Sequence, residues 1–140
     1  MKTFITKYLL GFALCCLILA TVFRHFLSYG IENESLNIIV SATVLYTIAM
    51  FVNGWNFGRK DRMHLPIYDV GFRFHFTTYV VHNVVSELWF ALGLNSHYEN
   101  IWQVHYVVIG WGLFVLIHFF FYISAKQKSV DGLDKDDLFE

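Results

Sequence analysis

The stretch that decides the fold is IWQVHYVVIGWGLFVLIHFFFYI, residues 101–123, which contains no Asp, Glu, Lys or Arg. A helix needs roughly 20 mostly apolar residues to cross a bilayer. In hydrocarbon its backbone polar groups must also be satisfied within the segment. The run therefore reads as a transmembrane helix. Working back toward the N-terminus, three more apolar runs of comparable length appear, at residues 8–23, about 36–57 and about 70–94. The joints between them are short and polar: 28–35 carries Glu32 and Glu34, 58–66 carries Arg59, Lys60 and Arg62, and 95–100 carries Glu99. The expected fold is an all-α integral membrane protein with four transmembrane helices arranged as two antiparallel hairpins.

Composition agrees. Of 140 residues, 56% are hydrophobic and 19% aromatic, and only 15% are charged, well below the quarter typical of soluble domains. Little chain is left for an extramembrane domain. The formal net charge of −1 comes with basic residues spread in short clusters between apolar runs, so nucleic acid is not an expected partner. Cys15 and Cys16 are adjacent within an apolar run; they imply no disulfide framework and read as soft apolar side chains facing lipid.

Positively charged flanks stay cytoplasmic during insertion. Lys2, Lys7, Arg59, Lys60, Arg62, Lys126 and Lys128 fall on one side of the four runs, while the other side offers Glu32, Glu34, Glu99 and only Arg24. Both termini are therefore expected in the cytoplasm. The chain divides into an N-terminal hairpin (1–57), a basic loop (58–69), a C-terminal hairpin (70–124) and an acidic tail (125–140). Lys2 and Lys7 ahead of a short apolar core also resemble a signal peptide cut at Ala20. Against that reading, Ile18 stands where a small side chain is expected, and cleavage would leave the second run entering from outside. Trp55, Phe57, Trp89, Tyr98 and Trp102 lie near the ends of runs, as interfacial anchors do.

Seven histidines are the unusual feature, since ionisable groups are costly in hydrocarbon. His25, His64 and His97 lie in or beside polar joints, where water satisfies them. At 100° per residue, Tyr68, Gly71, His75, Tyr79, His82, Ser86, Trp89 and Gly93 share one stripe of the third helix, bordered by Asn83 and Glu87. Such a polar seam should turn toward other helices. On the fourth helix Trp111, His118 and Tyr122 share a face, and Gly110 and Gly112 thin the helix for a close neighbour. His75 and His118 come to similar depth in the hairpin. Two facing histidines can ligate haem axially or join a metal site, or they can make interhelical hydrogen bonds. His105 points about 140° away from His118 on a regular helix, which argues against a second stacked ligand pair. No H-E-x-x-H, G-x-S-x-G or phosphate loop occurs. Glu87 and Asp69 are candidates for a proton path, although Asp69 is expected to pair with Arg73.

Gly71, Phe72, His75, Tyr79 and Asn83, followed by Trp102, Gly110, Trp111, Gly112 and His118, form a pattern that resembles a bacterial family of membrane hairpins, the 2TM domain. The resemblance spans about residues 71–122; the first hairpin lies outside it. It implies a two-helix module of a bacterial inner membrane, of a kind also found attached to signalling proteins, without an assigned reaction.

The expected function is that of a non-enzymatic, multi-pass inner-membrane protein, a signalling or accessory subunit with no cofactor. Its seam, formed by His75, Tyr79, His82, Asn83, Ser86, Gly110, Trp111, Gly112 and His118, packs its own helices, docks a membrane partner or mediates self-association. The alternative is a redox subunit binding haem b or a metal through His75 and His118.

Overall fold

The computed structural model describes residues 5–63 and 67–131, with side chains as far as Lys128. Lys2, His64 and the acidic tail beyond residue 131 lie outside the described residues. Within them the chain is four helices: α1 (Lys7–Glu32), α2 (Leu36–Asp61), α3 (Ile67–Ala91) and α4 (Ile101–Asp131). Three of these, α1, α2 and α4, are long and apolar enough to cross a membrane. α3 is the exception, because Asp69, Arg73, His75, His82, Asn83 and Glu87 dilute its apolar residues.

The helices outrun the apolar segments that announce them. α1 continues to Glu32 through residues read from sequence as a polar joint, and only 33–35 turn. The first turn of α3 and the last turn of α2 likewise absorb much of the basic loop. Helix propagation needs only local backbone bonds, so polar side chains do not stop it. Stops come from specific caps. The Thr6 hydroxyl accepts from the Leu9 amide at 3.1 Å to start α1, as an N-cap does. α3 ends at Gly93, whose φ of +67° lets the Leu94 amide reach the Trp89 carbonyl at 3.0 Å and its own amide the Phe90 carbonyl at 3.0 Å, the Schellman pattern.

α3 is the centre of the arrangement. It packs against α1, α2 and α4, α1 packs also against α2, and among the described residues α4 rests on α3 alone. Contacts Phe12 to Phe74 near one end and Ser28 to Trp89 near the other make α1 and α3 parallel. The helix least suited to lipid is thus the one most surrounded by protein. The two hairpins are not separate units.

α1 supplies the other half of the core. Phe12, Cys16, Ala20, Arg24 and Ser28, each four residues from the next, are all buried, the inclined ridge along which helices interlock. Leu9, Phe12 and Cys16 meet Val70 and Phe74 of α3. This corrects the lipid-facing reading of Cys16, which is a core side chain with Asn53 Nδ2 at 3.8 Å from its sulfur. The cause is the small size of Cys16 and Ala20, which lets α3 approach.

Candidate functional site

The polar stripe of α3 does not serve one neighbour. Its side chains fan out to all three other helices. Toward α4, the Tyr79 hydroxyl donates to the Val108 carbonyl at 3.1 Å and Trp111 Nε1 donates to His75 Nε2 at 3.0 Å. Toward α2, His82 Nδ1 pairs with the Tyr46 hydroxyl at 3.0 Å. Toward α1, Trp89 Nε1 donates to the Ser28 hydroxyl at 3.0 Å. The rings pack as well: Phe23 of α1 stacks on Tyr46 with centroids 4.4 Å apart, and His82 lies 5.4 Å from Trp111.

The remaining seam residues divide. Ser86 is buried. Asn83 is buried and donates back to the Tyr79 carbonyl at 2.7 Å, leaving its own Oδ1 with no partner among the described residues. A Cβ at Gly112 would stand 3.0 Å from the Tyr79 hydroxyl, so this glycine makes room for that ring, whereas one at Gly110 would meet nothing within 4 Å. Gly110 therefore makes room for no neighbour among the described residues. His105 does not join the seam; its Nε2 lies 3.3 Å from Glu87 Oε1, both partners partly exposed. Asp69 does not pair with Arg73 in the way expected. Arg73 Nη1 instead stands 3.8 Å from Asp61 Oδ2, with both side chains buried, because α3 turns Arg73 inward against the end of α2.

A second polar cluster, barely visible in the sequence, closes the turn end of the bundle. Arg24 Nη2 meets Glu99 Oε1 at 2.8 Å, with both side chains almost fully buried. The other oxygen of Glu99 accepts from the Ser28 hydroxyl at 2.6 Å and the Ser96 amide at 2.8 Å. Beside it Glu32 accepts from the Ser96 hydroxyl at 2.6 Å and the His97 amide at 3.0 Å. The guanidinium of Arg24 also lies 5.5 Å from the centre of the Phe90 ring. Two carboxylates thus fasten the α3–α4 loop to α1. The available signal was Arg24 itself, the one basic residue between Lys7 and Arg59, set in a four-residue ridge.

His75 and His118 are brought together, their ring centroids 5.0 Å apart at 42°. They do not flank a haem iron in this arrangement. Two axial imidazoles each need about 2 Å between nitrogen and metal, which sets ring centres about 6 Å apart on opposite faces of the macrocycle. The Nε2 lone pair of His75 is also taken by Trp111, leaving the proton of the neutral ring on Nδ1. Among the described residues no group of three or more His, Cys, Asp or Glu converges on one point.

Of the three histidines in the seam, His118 is the exposed one. It sits at the level of His75, about 12 Å along α3 from its start at 1.5 Å per residue. Phe114 and Phe121, exposed at 68% and 70%, flank it one turn away on each side. No family model, curated protein or solved structure matches the chain.

Proposed function

We propose that the chain is a four-crossing, non-enzymatic inner-membrane protein in which α3 is a polar hub holding three lipid-facing helices, and α4 offers a docking face to a membrane partner or a second copy. The Lys and Arg asymmetry supports both termini in the cytoplasm. The 71–122 pattern supports kinship with bacterial two-helix membrane modules and a signalling or accessory role.

One observation carries the reading: the polar side chains of α3 reach all three other helices, His75 and Tyr79 meeting α4, His82 meeting α2 and Trp89 meeting α1. In hydrocarbon an interhelical hydrogen bond contributes about 1 kcal/mol, so the set acts as glue rather than as a catalytic arrangement. Docking is supported by His118. An ionisable ring exposed at this depth is costly against lipid, and a protein neighbour on α4 relieves that cost.

The test is photocrosslinking in membranes with benzoylphenylalanine in place of Phe114. A crosslinked species heavier than the monomer is expected, and it should weaken when His118 is replaced by Leu. A probe at Phe114 that captures nothing removes the docking half of the proposal. The competing redox reading is separated by absorption: detergent-purified protein is expected to lack a Soret band. A band that disappears in His118→Ala would overturn the hub assignment.

A further inference from the structure

We propose that the groove between α1 and α2 holds one acyl chain of an amine-headed, zwitterionic phospholipid from the leaflet on the side of the α1–α2 turn. The inference rests on α1 and α2 crossing the bilayer, and it goes beyond the hub assignment, which concerns α3 and α4.

The groove, open along one side, has a volume of about 510 Å³ and runs on α1 from Leu19 to Tyr29 and on α2 from Asn37 to Ala49. Ten residues of helix cover about 15 Å, which is half of a hydrocarbon core of roughly 30 Å. The groove therefore extends from headgroup level to mid-membrane and no further. A volume of about 510 Å³ spread over about 15 Å of length suits a hydrocarbon chain, whereas a spanning helix from a partner or a second copy runs the full thickness of the bilayer and would find a groove for only half of its length.

Its walls explain why the space persists. Phe23 and Phe26 form the α1 side, while Ala42 and Ala49 on α2 are too small to reach them. Tyr46 closes the floor with its ring stacked on Phe23, and its hydroxyl is turned away to His82. The floor is thus apolar. Of the polar lining residues, Tyr29 and Asn37 lie at the mouth and Ser41 one turn inside it.

Charge at the mouth selects the headgroup. Glu34 is exposed in the turn and residues 28–37 and 92–100 contain no Lys or Arg, while Glu32 is turned to the α3–α4 loop, where it holds Ser96 and His97. Arg24 faces inward and is neutralised by Glu99. An ammonium headgroup is attracted to such a rim, and an anionic one is repelled.

The experiment is native mass spectrometry of the detergent-purified chain titrated with dioleoyl phosphatidylethanolamine or dioleoyl phosphatidylglycerol. One equivalent of the ethanolamine lipid is expected to be retained about tenfold better than the glycerol lipid. Ala42→Phe, which fills the groove, should reduce that retention about tenfold at unchanged thermal stability. If Ala42→Phe does not fold, Ala49→Leu replaces it. Glu34→Lys, on the exposed turn, should reverse the headgroup preference. Retention in the filled variant equal to that of the unaltered chain overturns the site, and equal retention of the two lipids overturns the headgroup assignment. In parallel, Glu34→Cys in intact cells should react with a membrane-impermeant maleimide. Labelling without lipid retention overturns the groove alone, whereas failure to label overturns the crossing on which it rests.

Discussion

Glu99→Ala is expected to destabilise the protein by about 3–5 kcal/mol, the cost of leaving a buried charge without its partner. Arg24 is the stranded group. Its side chain is 7% exposed and Glu99 supplies its anion at 2.8 Å; its Nε already lacks an acceptor among the described residues. The substitution also removes the acceptor for the Ser28 hydroxyl and the Ser96 amide, so the loop loses its anchor on α1. Reversible unfolding of purified protein in mixed micelles measures the effect. The control is the double variant Arg24→Met with Glu99→Met. Replacing a buried ion pair by apolar groups of similar volume is often neutral or stabilising, so the double variant should recover most of the loss. A double variant as unstable as Glu99→Ala would mean that the hydrogen bonds to Ser28 and Ser96, and not the charge, hold the loop.

This clasp marks where the sequence is readable and where it is not. Long apolar runs identify helices because the membrane imposes a length and a composition, and all four helices lie where those runs occur. The stripe on α3 is likewise legible, since side-chain direction follows from 100° per residue. What a stripe cannot reveal is which neighbour each residue meets. That depends on how far the helices are offset and twisted about one another. His75 and Tyr79 meet α4, His82 meets Tyr46 of α2, and Trp89 meets Ser28 of α1. Tyr46 carried no signal in sequence, being a single tyrosine in an apolar helix. The inward turn of Arg73 toward Asp61 defeats the nearer i, i+4 partner Asp69 for the same reason: tertiary burial outweighs a surface pairing of a few tenths of a kcal/mol. Glycines mislead in the same way. Gly110 and Gly112 read alike, yet Tyr79 lies over Gly112 alone.

Gly30 states the converse case, a glycine with no motif around it whose substitution should be among the most damaging. A Cβ there would stand 2.9 Å from Ile39 Cγ1, 3.1 Å from Ile38 Cγ2 and 3.2 Å from the Ile39 backbone nitrogen. The first two contacts can yield by rotation of side chains. The third cannot, because the Ile39 amide is fixed by its bond to the Ser35 carbonyl at 3.2 Å, the first hydrogen bond of α2. Even alanine therefore forces the helices apart, and Gly30→Val adds two methyl groups to the same space. Overpacking of a fixed interior typically costs about 1–3 kcal/mol, and the backbone contact places Gly30→Val at the upper end of that range. The Ser35 amide, which donates to the Gly30 carbonyl at 2.8 Å, would be displaced with it, so the tight 33–35 turn should open. Two measurements check this: the loss of unfolding free energy in micelles, and faster proteolysis at the turn than at the α3–α4 loop. Equal cleavage at both loops would mean that the strain spreads through the bundle instead of opening the α1–α2 turn. Because the same turn forms the mouth of the lipid groove, Gly30→Val should also weaken phosphatidylethanolamine retention, which Glu99→Ala, acting on the opposite face of α1, should leave intact in the fraction that remains folded.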